Sequence, residues 1–538
     1  MRVVDFFCGG GGFSEGFRQA GFQILVAVDK WSPAVITYKA NKPNVHVIQE
    51  DVIRISMLPD KEFHELIPDS EVIIGSPPCQ AFSQSNKSGK ADKSLGIKLI
   101  KAYLRIIARK KYRLDSRLKY WVLENVPNVK KYIKEEYTAG DLGLDGTFIL
   151  RPCDGASGIY NAKYFGAPTN RKRYLCGEFP KPVMTHNDEN AVTLRAVLES
   201  LGNPLGEASE NITDVNYPGL SLPRSEVSDH GYVHELAPFE WKTAKRLKQD
   251  RGYMGKMAFP ENIDKPSRTV MATMSASSRE AMIIGFGNDK YRLPTVRETA
   301  SMMSFPIDYR FYGRSKGIKH TLVGNAVPPK LSYAIARAIA LDAHKNIPNH
   351  YIPIHHSKDI AFVDLNGMNF PIKIEGKKRS VSRFKYHIPY LIYASYRVEL
   401  TNYHSDFDYK KFIWDVEIHY SQGKEKANKF VPNIGINLIN IKYRASVLEY
   451  LNKFSGKSIS YNRFQELFCM THADRLLINA FGPYELLDDV RNFIDGLLSE
   501  EEQKCSLYTE TIPQYLPQAI IVGYFILKQI VKYMGDVR

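Results

Sequence analysis

The sequence predicts an α/β protein built on a doubly wound parallel sheet. Two observations predict it. Short apolar segments alternate with helix-like segments through the first 180 residues, and most of those apolar segments end on an acid, a glycine turn or a proline. "RVVDFF" is the first strand. "CGGGG" turns the chain into a helix whose apolar positions are Phe13, Phe17 and Ala20. "QILVAVDKW" is the second strand and "VHVIQEDV" the third, both closing on acids. "EVIIGSPP" is the fourth and "YWVLENVP" the fifth, with a helical stretch around residues 98–110 before it. In such sheets ligands sit beyond the carboxyl ends of the strands. The glycines, Asp29, Asp51, Cys79 and Glu124 all fall at such ends, so one site can collect them.

The chain has 538 residues, 44% of them hydrophobic, which is enough for two or three domains. The longest apolar run, residues 519–527, ends at Lys528 and reads as a buried helix or strand, not a membrane span. The N-terminus lacks the basic-then-apolar pattern of a secretory signal. Six cysteines lie scattered without CxxC or CxH spacing, which excludes a disulfide framework and a zinc site from the expectation and fits a reducing cytosol. The formal charge is +15, and it is uneven. Residues 346–538 carry 24 Lys/Arg against 21 Asp/Glu, so the excess lies in the first 345. Residues 87–119 hold twelve basic residues and only two acids. A polyanionic partner is expected, with a solvated basic face as the alternative.

The glycine turn allows close backbone approach to a ligand and opens a helix whose first N–H groups are free. No Gly-Lys-Ser/Thr follows, which argues against a phosphate-binding nucleotide loop. Asp29, closing strand two, can accept from both hydroxyls of a ribose. Trp31 can cover an adenine face, and Asp51 can accept from its exocyclic amine. The bland reading of these features is a tight turn and two helix caps.

"GSPPCQAFS" places a thiol just after two prolines. Pro77 and Pro78 fix φ and remove two donors, so no regular strand continues and Cys79 is held at a strand exit. A buried cysteine is usually packing. Here a basic segment follows, and positive charge favours the nucleophilic thiolate. "LENVPN" brings Glu124 and Asn125 to a second rigid exit. A glutamate beside a nucleophilic cysteine is a candidate proton donor.

Six stretches, "DFFCGGGGFSEGF", "GSPPCQAFS", "LENVPN", "NAKYFGAPTNRKRYLCG", "RLPTVRETASMMSFP" and "GNAVPP", resemble in order and spacing the DNA (cytosine-5) methyltransferases of prokaryotic restriction-modification systems. The resemblance covers residues 1 to about 345. It implies a Rossmann-like methyltransferase domain that uses S-adenosyl-L-methionine (residues 1–180 and 291–345) and a smaller target-recognition domain (181–290). Residues 346–538 form a further, mixed α+β domain outside it. It implies that the Cys79 thiolate adds to carbon 6 of a flipped-out cytosine, so that carbon 5 can accept a methyl group. Loss of the carbon-5 proton then expels the cysteine. Glu124 would bond or protonate ring N3 and the amine, Asn125 would hold the loop, Arg173 would contact the base oxygen, and Arg171 would support the site. For the cofactor it implies Phe7, Gly9, Gly11, Asp29, Trp31, Asp51, Val52, Pro78, Asn325 and Val327. Ser83 and Ser85 would hold the backbone of the flipped nucleotide. Double-stranded DNA is the implied partner, with a cognate restriction endonuclease as a functional one and no membrane. The same chemistry on tRNA, or an inactive nucleic-acid-binding module, are the alternatives. Two departures stand out: Thr169 where the family has glutamine, and Ser94 or Gly96 near an expected arginine.

Between Gly177 and Tyr291 the match fades, with 13 basic and 16 acidic residues. The concentrated basic stretch there, residues 241–256, offers Lys245, Arg246 and Lys248 as phosphate contacts, against an amphipathic surface helix. In residues 346–538, "DVEIHYSQGK" offers Asp415, Glu417 and Lys424, a partial set for a metal-dependent nuclease. The sequence shows no second strand-end acid nearby, so ordinary strand polarity and an accessory domain are the preferred reading.

Overall fold

A computed structural model describes residues 1–78, 82, 93–207, 210–249, 257–420, 428–455, 459–509 and 514–535. Cys79, Ser83, Ser85 and Lys424 lie outside the described residues. The chain forms two compact units. The first comprises Met1–Leu236 and Pro260–Pro371, the second Ala237–Phe259 and Ile372–Arg538.

The first unit is organised by a seven-stranded sheet. Its strands are β1 (Arg2–Phe6), β2 (Gln23–Asp29), β3 (His46–Gln49), β4 (Val72–Gly75), β5 (Tyr120–Asn125), β6 (Gly158–Asn161) and β7 (Lys172–Glu178). Their order is β3-β2-β1-β4-β5-β7-β6. The five expected strands are all present and parallel; β6 and β7 join antiparallel. The sheet is therefore mixed, not purely parallel. Both faces are buried, and alternate residues divide between them. Val4, Phe6, Ile73, Trp121 and Leu123 pack toward α3 (Ser94–Lys111). Val3, Val72, Ile74 and Val122 pack on the other face with Phe13 and Phe17 of α1 (Gly12–Gln19) and Leu331, Ile335 and Ile339 of α5 (Pro329–Asp342). This two-sided burial is why the strands read as continuous apolar runs. Two further helices bear on the site: α2 (Ser32–Asn41) and α4 (Lys316–Asn325).

Strand order reverses between β1 and β4. The connections leaving these two strands diverge there and open a crevice at their carboxyl ends. The glycine loop follows β1 and Ser76-Pro77-Pro78 follows β4, so the topology itself places them on either side of one cleft.

The expected domain boundary at residue 346 is corrected. The helix α5 ends at Asp342, but residues 350–371 stay with the first unit as an extended strap. The carbonyls of Ile352 and Pro353 accept from Arg18, and Ile352 exchanges hydrogen bonds with Gln19. Tyr351 donates to Asp308, Leu365 N donates to Asp229, and the Asn366 side chain accepts from the backbone of His230 and Gly231. Phe370 stacks on His234 at 3.6 Å. Nor does the region 181–290 stand as one domain, because Ala237–Phe259 belongs to the second unit.

The second unit is mixed α and β, as expected. An antiparallel sheet runs β8 (Lys385–Tyr393), β9 (Tyr396–Thr401), β10 (Asp415–Tyr420), β11 (Asn428–Phe430). Ala394 and Ser395, both with positive φ, make the two-residue turn between β8 and β9. Val398, Leu400, Val416 and Ile418 share a core with α6 (Pro483–Leu497) and α7 (Gln518–Gly535). The apolar run 519–527 is the buried body of α7. Among the described residues no helix is long and apolar enough to cross a membrane.

The helix Pro238–Gln249 belongs to this unit, and that changes the reading of its charges. Arg246 is 9% exposed; its guanidinium lies over the Tyr386 ring at 3.8 Å and 3.9 Å from Asp488. Lys248 is fully buried and Lys245 half-buried. Arg246 and Lys248 are thus packing residues of the second unit, not cations presented to a phosphate backbone.

Candidate active site

The carboxyl ends of β4 and β5 are stitched together by side chains. Ser76 donates to Glu124 Oε2 at 2.5 Å, and Asn125 Nδ2 donates to the Pro77 carbonyl at 2.9 Å. The Asn125 Oδ1 accepts from Val126 N, so both ends of its amide are fixed. The root of the Cys79 loop is therefore held two residues before the cysteine. Beyond the cysteine, Phe82 is buried, its ring lies tilted against Tyr132 with centroids 5.0 Å apart, and its carbonyl accepts from Asn128. Pro77 before the cysteine and Phe82 after it are thus each tied to the strand end that carries Glu124 or to the segment after it.

Glu124 is 3% exposed. Its Oε1 meets Arg173 Nε at 2.8 Å. Arg173 comes from β7, the antiparallel neighbour of β5, where Leu175 pairs with Glu124. A buried carboxylate needs a partner of this kind, since its desolvation costs several kcal/mol, roughly, when left unpaired. The pair fixes the rotamer of Glu124 at the strand end.

Arg171 does something else. Its two terminal nitrogens donate to three carbonyls, those of Val270, Gly324 and Ala326. It sits wholly inside the protein and ties the "GNAV" segment to the strand that carries Arg173. Thr169, in place of the family's glutamine, donates to the Arg268 carbonyl within a short parallel bridge between 169–170 and 267–268. Its hydroxyl thus serves the fold of the neighbouring segment.

On the other side of the crevice, Phe7, Gly9 and Gly11 all take positive φ, at 56°, 52° and 87°. The strained Phe7 and two glycines wrap the loop back over the strand end. Asp29 organises it: Oδ2 accepts from Gly9 N at 2.9 Å and Oδ1 from Trp31 N at 2.8 Å. Burial pushes the Asp29 carboxyl up, and these two N–H groups oppose that shift. A Cβ built on Gly9 would meet nothing within 4 Å, so the space above it is an open cradle. At Gly12 the reverse holds: a Cβ would lie 2.4 Å from the Val327 carbonyl. The glycine loop and the far end of the chain's catalytic part are in direct contact there. Val327 is buried and Asn325 exposed beside it. Asp51 caps the helix Val52–Ser56, accepting from Ile53 N, and its other oxygen stands 3.4 Å from Lys30 Nζ. Val52 is buried, Trp31 partly so, and Pro78 exposed at the crevice.

Sequence reasoning missed the support beneath the loop. Lys42 and Glu15 form a buried ion pair at 3.2 Å, and Lys42 also donates to Tyr309 at 3.1 Å. Tyr309 in turn donates to the Gly10 carbonyl at 2.5 Å. Next to it, Ser14 donates to Asp5, whose carboxyl burial pushes up to about 7. The acid in "RVVDFF" was the available signal for Asp5; nothing local marks Lys42 or Tyr309.

The family model for C-5 cytosine-specific DNA methylases matches residues 1–341. The chain belongs to that family. It is a DNA (cytosine-5) methyltransferase. Among its relatives are the type II methyltransferases M.MthTI of Methanothermobacter thermautotrophicus and M1.HphI of Haemophilus parahaemolyticus. The first is 29% identical over 64% of this chain and 98% of its own length, the second 29% over 63% and 86%. M.HgiDI of Herpetosiphon aurantiacus is 29% identical over 65% of this chain and 96% of its own. The crystal structure of the S. pombe Dnmt2 methyltransferase covers 64% of this chain and 99% of its own at 18% identity and TM-score 0.40. All of these matches leave the last third of the methyltransferase uncovered.

Proposed function

We propose that the crevice binds S-adenosyl-L-methionine on the β1 side and a flipped-out cytosine of duplex DNA on the β4–β5 side. The cofactor fits the residues present: an open cradle at Gly9, a strand-end carboxylate at Asp29 and an aromatic at Trp31. Asp29 would accept from the ribose, Asp51 from the adenine amine, and Phe7, Gly11, Val52, Pro78, Asn325 and Val327 would line the pocket. When bound, the cofactor supplies an electrophilic methyl group.

The chain's own residues prepare the acceptor. The Cys79 thiolate adds to carbon 6, forming the S–C bond and pushing the ring electrons toward carbon 5 and N3. Glu124, held by Arg173 and Ser76, would bond N3 and the exocyclic amine as charge builds there. After carbon 5 is methylated, its proton leaves to a base and the S–C bond breaks, returning the thiolate. Ser83 and Ser85 would hold the nucleotide backbone. The observation that carries this reading is the double stitch Ser76–Glu124 and Pro77–Asn125, which sets the acid beside the root of the cysteine loop.

The relatives' description as type II methyltransferases supports a role in restriction-modification beside a cognate endonuclease. Base choice would lie in the parts of residues 178–290 that stay with the first unit.

The test is a duplex carrying 5-fluorocytosine at the target position. The wild type should form a stable covalent adduct that needs S-adenosyl-L-methionine, because fluorine cannot leave as the proton does. Cys79→Ala should form none. An adduct in the alanine variant, or turnover by it, would refute the mechanism.

A further inference from the structure

The antiparallel pair β9–β10 places Glu399 and Glu417 directly opposite each other. Like charges in register destabilise a sheet. Here both are almost fully buried, at 4% and 3% exposure. His419, two residues along β10 and 2% exposed, shares their face. Its Nε2 lies 2.8 Å from Glu417 Oε2 and 3.0 Å from Glu399 Oε2. One ring nitrogen carries at most one proton, so it serves one of these oxygens well. Glu417 Oε2 is the one within its hydrogen bond. Glu399 Oε2 accepts no hydrogen bond, although His419 Nε2 and Lys385 Nζ stand at 3.0 and 3.1 Å. A buried carboxylate oxygen is thus left with ionic contacts only and is aimed at the other two ligand atoms.

The outer oxygens are held differently. Arg397 Nε fixes Glu399 Oε1 at 2.5 Å, and His404 lies 3.2 Å from Glu417 Oε1. Both Oε2 atoms are thereby turned toward His419 Nε2, and three potential ligand atoms fall within 4.8 Å of one another. Hydrogen bonds to the outer atoms of ligating carboxylates are the usual way a metal site is oriented. An ion bonded at about 2.0–2.2 Å to nitrogen and oxygen sets adjacent ligands about 3.4 Å apart in a tetrahedral site and roughly 3 Å apart at the right angles of a six-coordinate one, which manganese prefers. The shorter spacing is the one found from His419 to each glutamate.

We propose that Glu399, Glu417 and His419 bind one divalent transition-metal ion. Two carboxylates and an imidazole, with no thiolate, suit manganese or zinc more than a soft ion. The imidazole would ligate through Nε2 with its proton on Nδ1. Lys385 and Lys429 now stand by the two Oε2 atoms, Lys385 at 3.1 Å from Glu399 and Lys429 at 3.2 Å from Glu417, the latter with half its side chain exposed. The metal replaces these ammonium groups as counter-charge, and their flexible stems turn to solvent.

The full-length protein, stripped with EDTA, would be titrated with Mn2+ while the electron paramagnetic resonance signal of the free aqua ion is followed. The wild type should take up one ion per chain and melt at higher temperature with it. Glu399→Gln and Glu417→Gln, near-isosteric changes, should each weaken uptake on the order of tenfold or more. Lys429→Ala should bind at least as tightly as the wild type, since it removes a competing cation. A cluster compensated by lysines alone predicts no uptake by the wild type at millimolar Mn2+. That result, or equal uptake by both glutamine variants, overturns the proposal; the wild-type titration decides even if a variant fails to fold.

Discussion

Arg173 Nε lies 2.8 Å from Glu124 Oε1, an ion pair across antiparallel strands at the edge of the crevice. Its geometry makes the arginine a positioning residue for the acid as well as a candidate contact to the base. Glu124→Gln should keep the Ser76 contact and the fold while lowering kcat by roughly 10²–10⁴. Arg173→Ala leaves a buried carboxylate with one neutral partner and should cost stability as well, about 3–5 kcal/mol by the behaviour of broken buried pairs. Arg173→Lys restores charge but not the planar fork, and should recover stability more than kcat. Steady-state kinetics beside thermal melts would show this. Equal recovery of both by lysine would mean that charge alone is needed.

Arg171 offers a cleaner separation of roles. It spans three carbonyls on two segments. Lysine presents its donors from one point and cannot reproduce that span. Two lost hydrogen bonds from a charged donor would cost about 3–6 kcal/mol in all. Because the Gly324 and Ala326 carbonyls lie next to Asn325, Arg171→Lys should raise the Kd for S-adenosyl-L-methionine by on the order of tenfold, or 1.4 kcal/mol. Isothermal calorimetry on folded variant protein measures this. Unchanged affinity would mean that Arg171 supports the fold without shaping the pocket around Asn325.

Glu124 and Asn125 were legible because their neighbours in sequence are: the strand ends "LENVPN" and "GSPP" announce rigid exits, and parallel-sheet topology brings such exits together; Arg171 and Arg173 were legible only through the resemblance of "NRKRY" to the family. What escaped depends on pairing across long separations. Arg246 reads as a free cation until Tyr386, far along the chain, lies under it. Glu399 and Glu417 become neighbours only once the β9–β10 register is set, and that register follows from the apolar face of Val398, Leu400, Val416 and Ile418. The strap escaped because "NIPNHYIPIHH" has no periodicity; its fit joins backbone hydrogen bonds at Ile352 and Leu365 to side-chain contacts with residues far along the chain, such as Tyr351 to Asp308 and Asn366 to His230.

Two buried histidines give the first unit an acid-sensitive side. His230 Nε2 donates to the Leu201 carbonyl, and burial holds its pKa down to about 4. His320, beside Thr299 in α4, is held down to about 3 by burial and then by Lys316. Both are neutral in the fold and titrate near 6.5 when unfolded. The stability they contribute is complete above pH 6.5 and is lost as pH falls toward 4 and 3, at about 1.4 kcal/mol per pH unit for each. Asp5, raised to about 7, and Asp214, raised to about 6, act in the opposite sense, because the fold binds their protons first. The readout is therefore a difference: between pH 7.5 and 5.0 the wild type should lose more urea stability than His230→Gln/His320→Gln. Parallel losses would show that neither histidine is responsible.

The strap sets where the methyltransferase can be cut. Lys319 and Asp229 form an ion pair with no exposed side-chain surface at all. Two of its remaining hydrogen bonds run to the strap, from Lys319 to the Val363 carbonyl and from Leu365 N to Asp229. A chain ending at 345 would strip both from buried charges and open the pair to water, along with the Tyr351–Asp308 and Asn366–His230 contacts. A chain ending at 371 keeps them but leaves the helix Pro238–Gln249 without Tyr386 and Tyr484, which line Arg246. Residues 1–371 with 237–259 replaced by a short Gly/Ser linker should therefore fold as a unit. The version ending at 345 should melt far lower or aggregate, since breaking one buried network costs about 3–5 kcal/mol. Scanning calorimetry and limited proteolysis of the two truncations compare them directly. Equal melting temperatures would mean the strap is an ornament of the first unit and not part of its core.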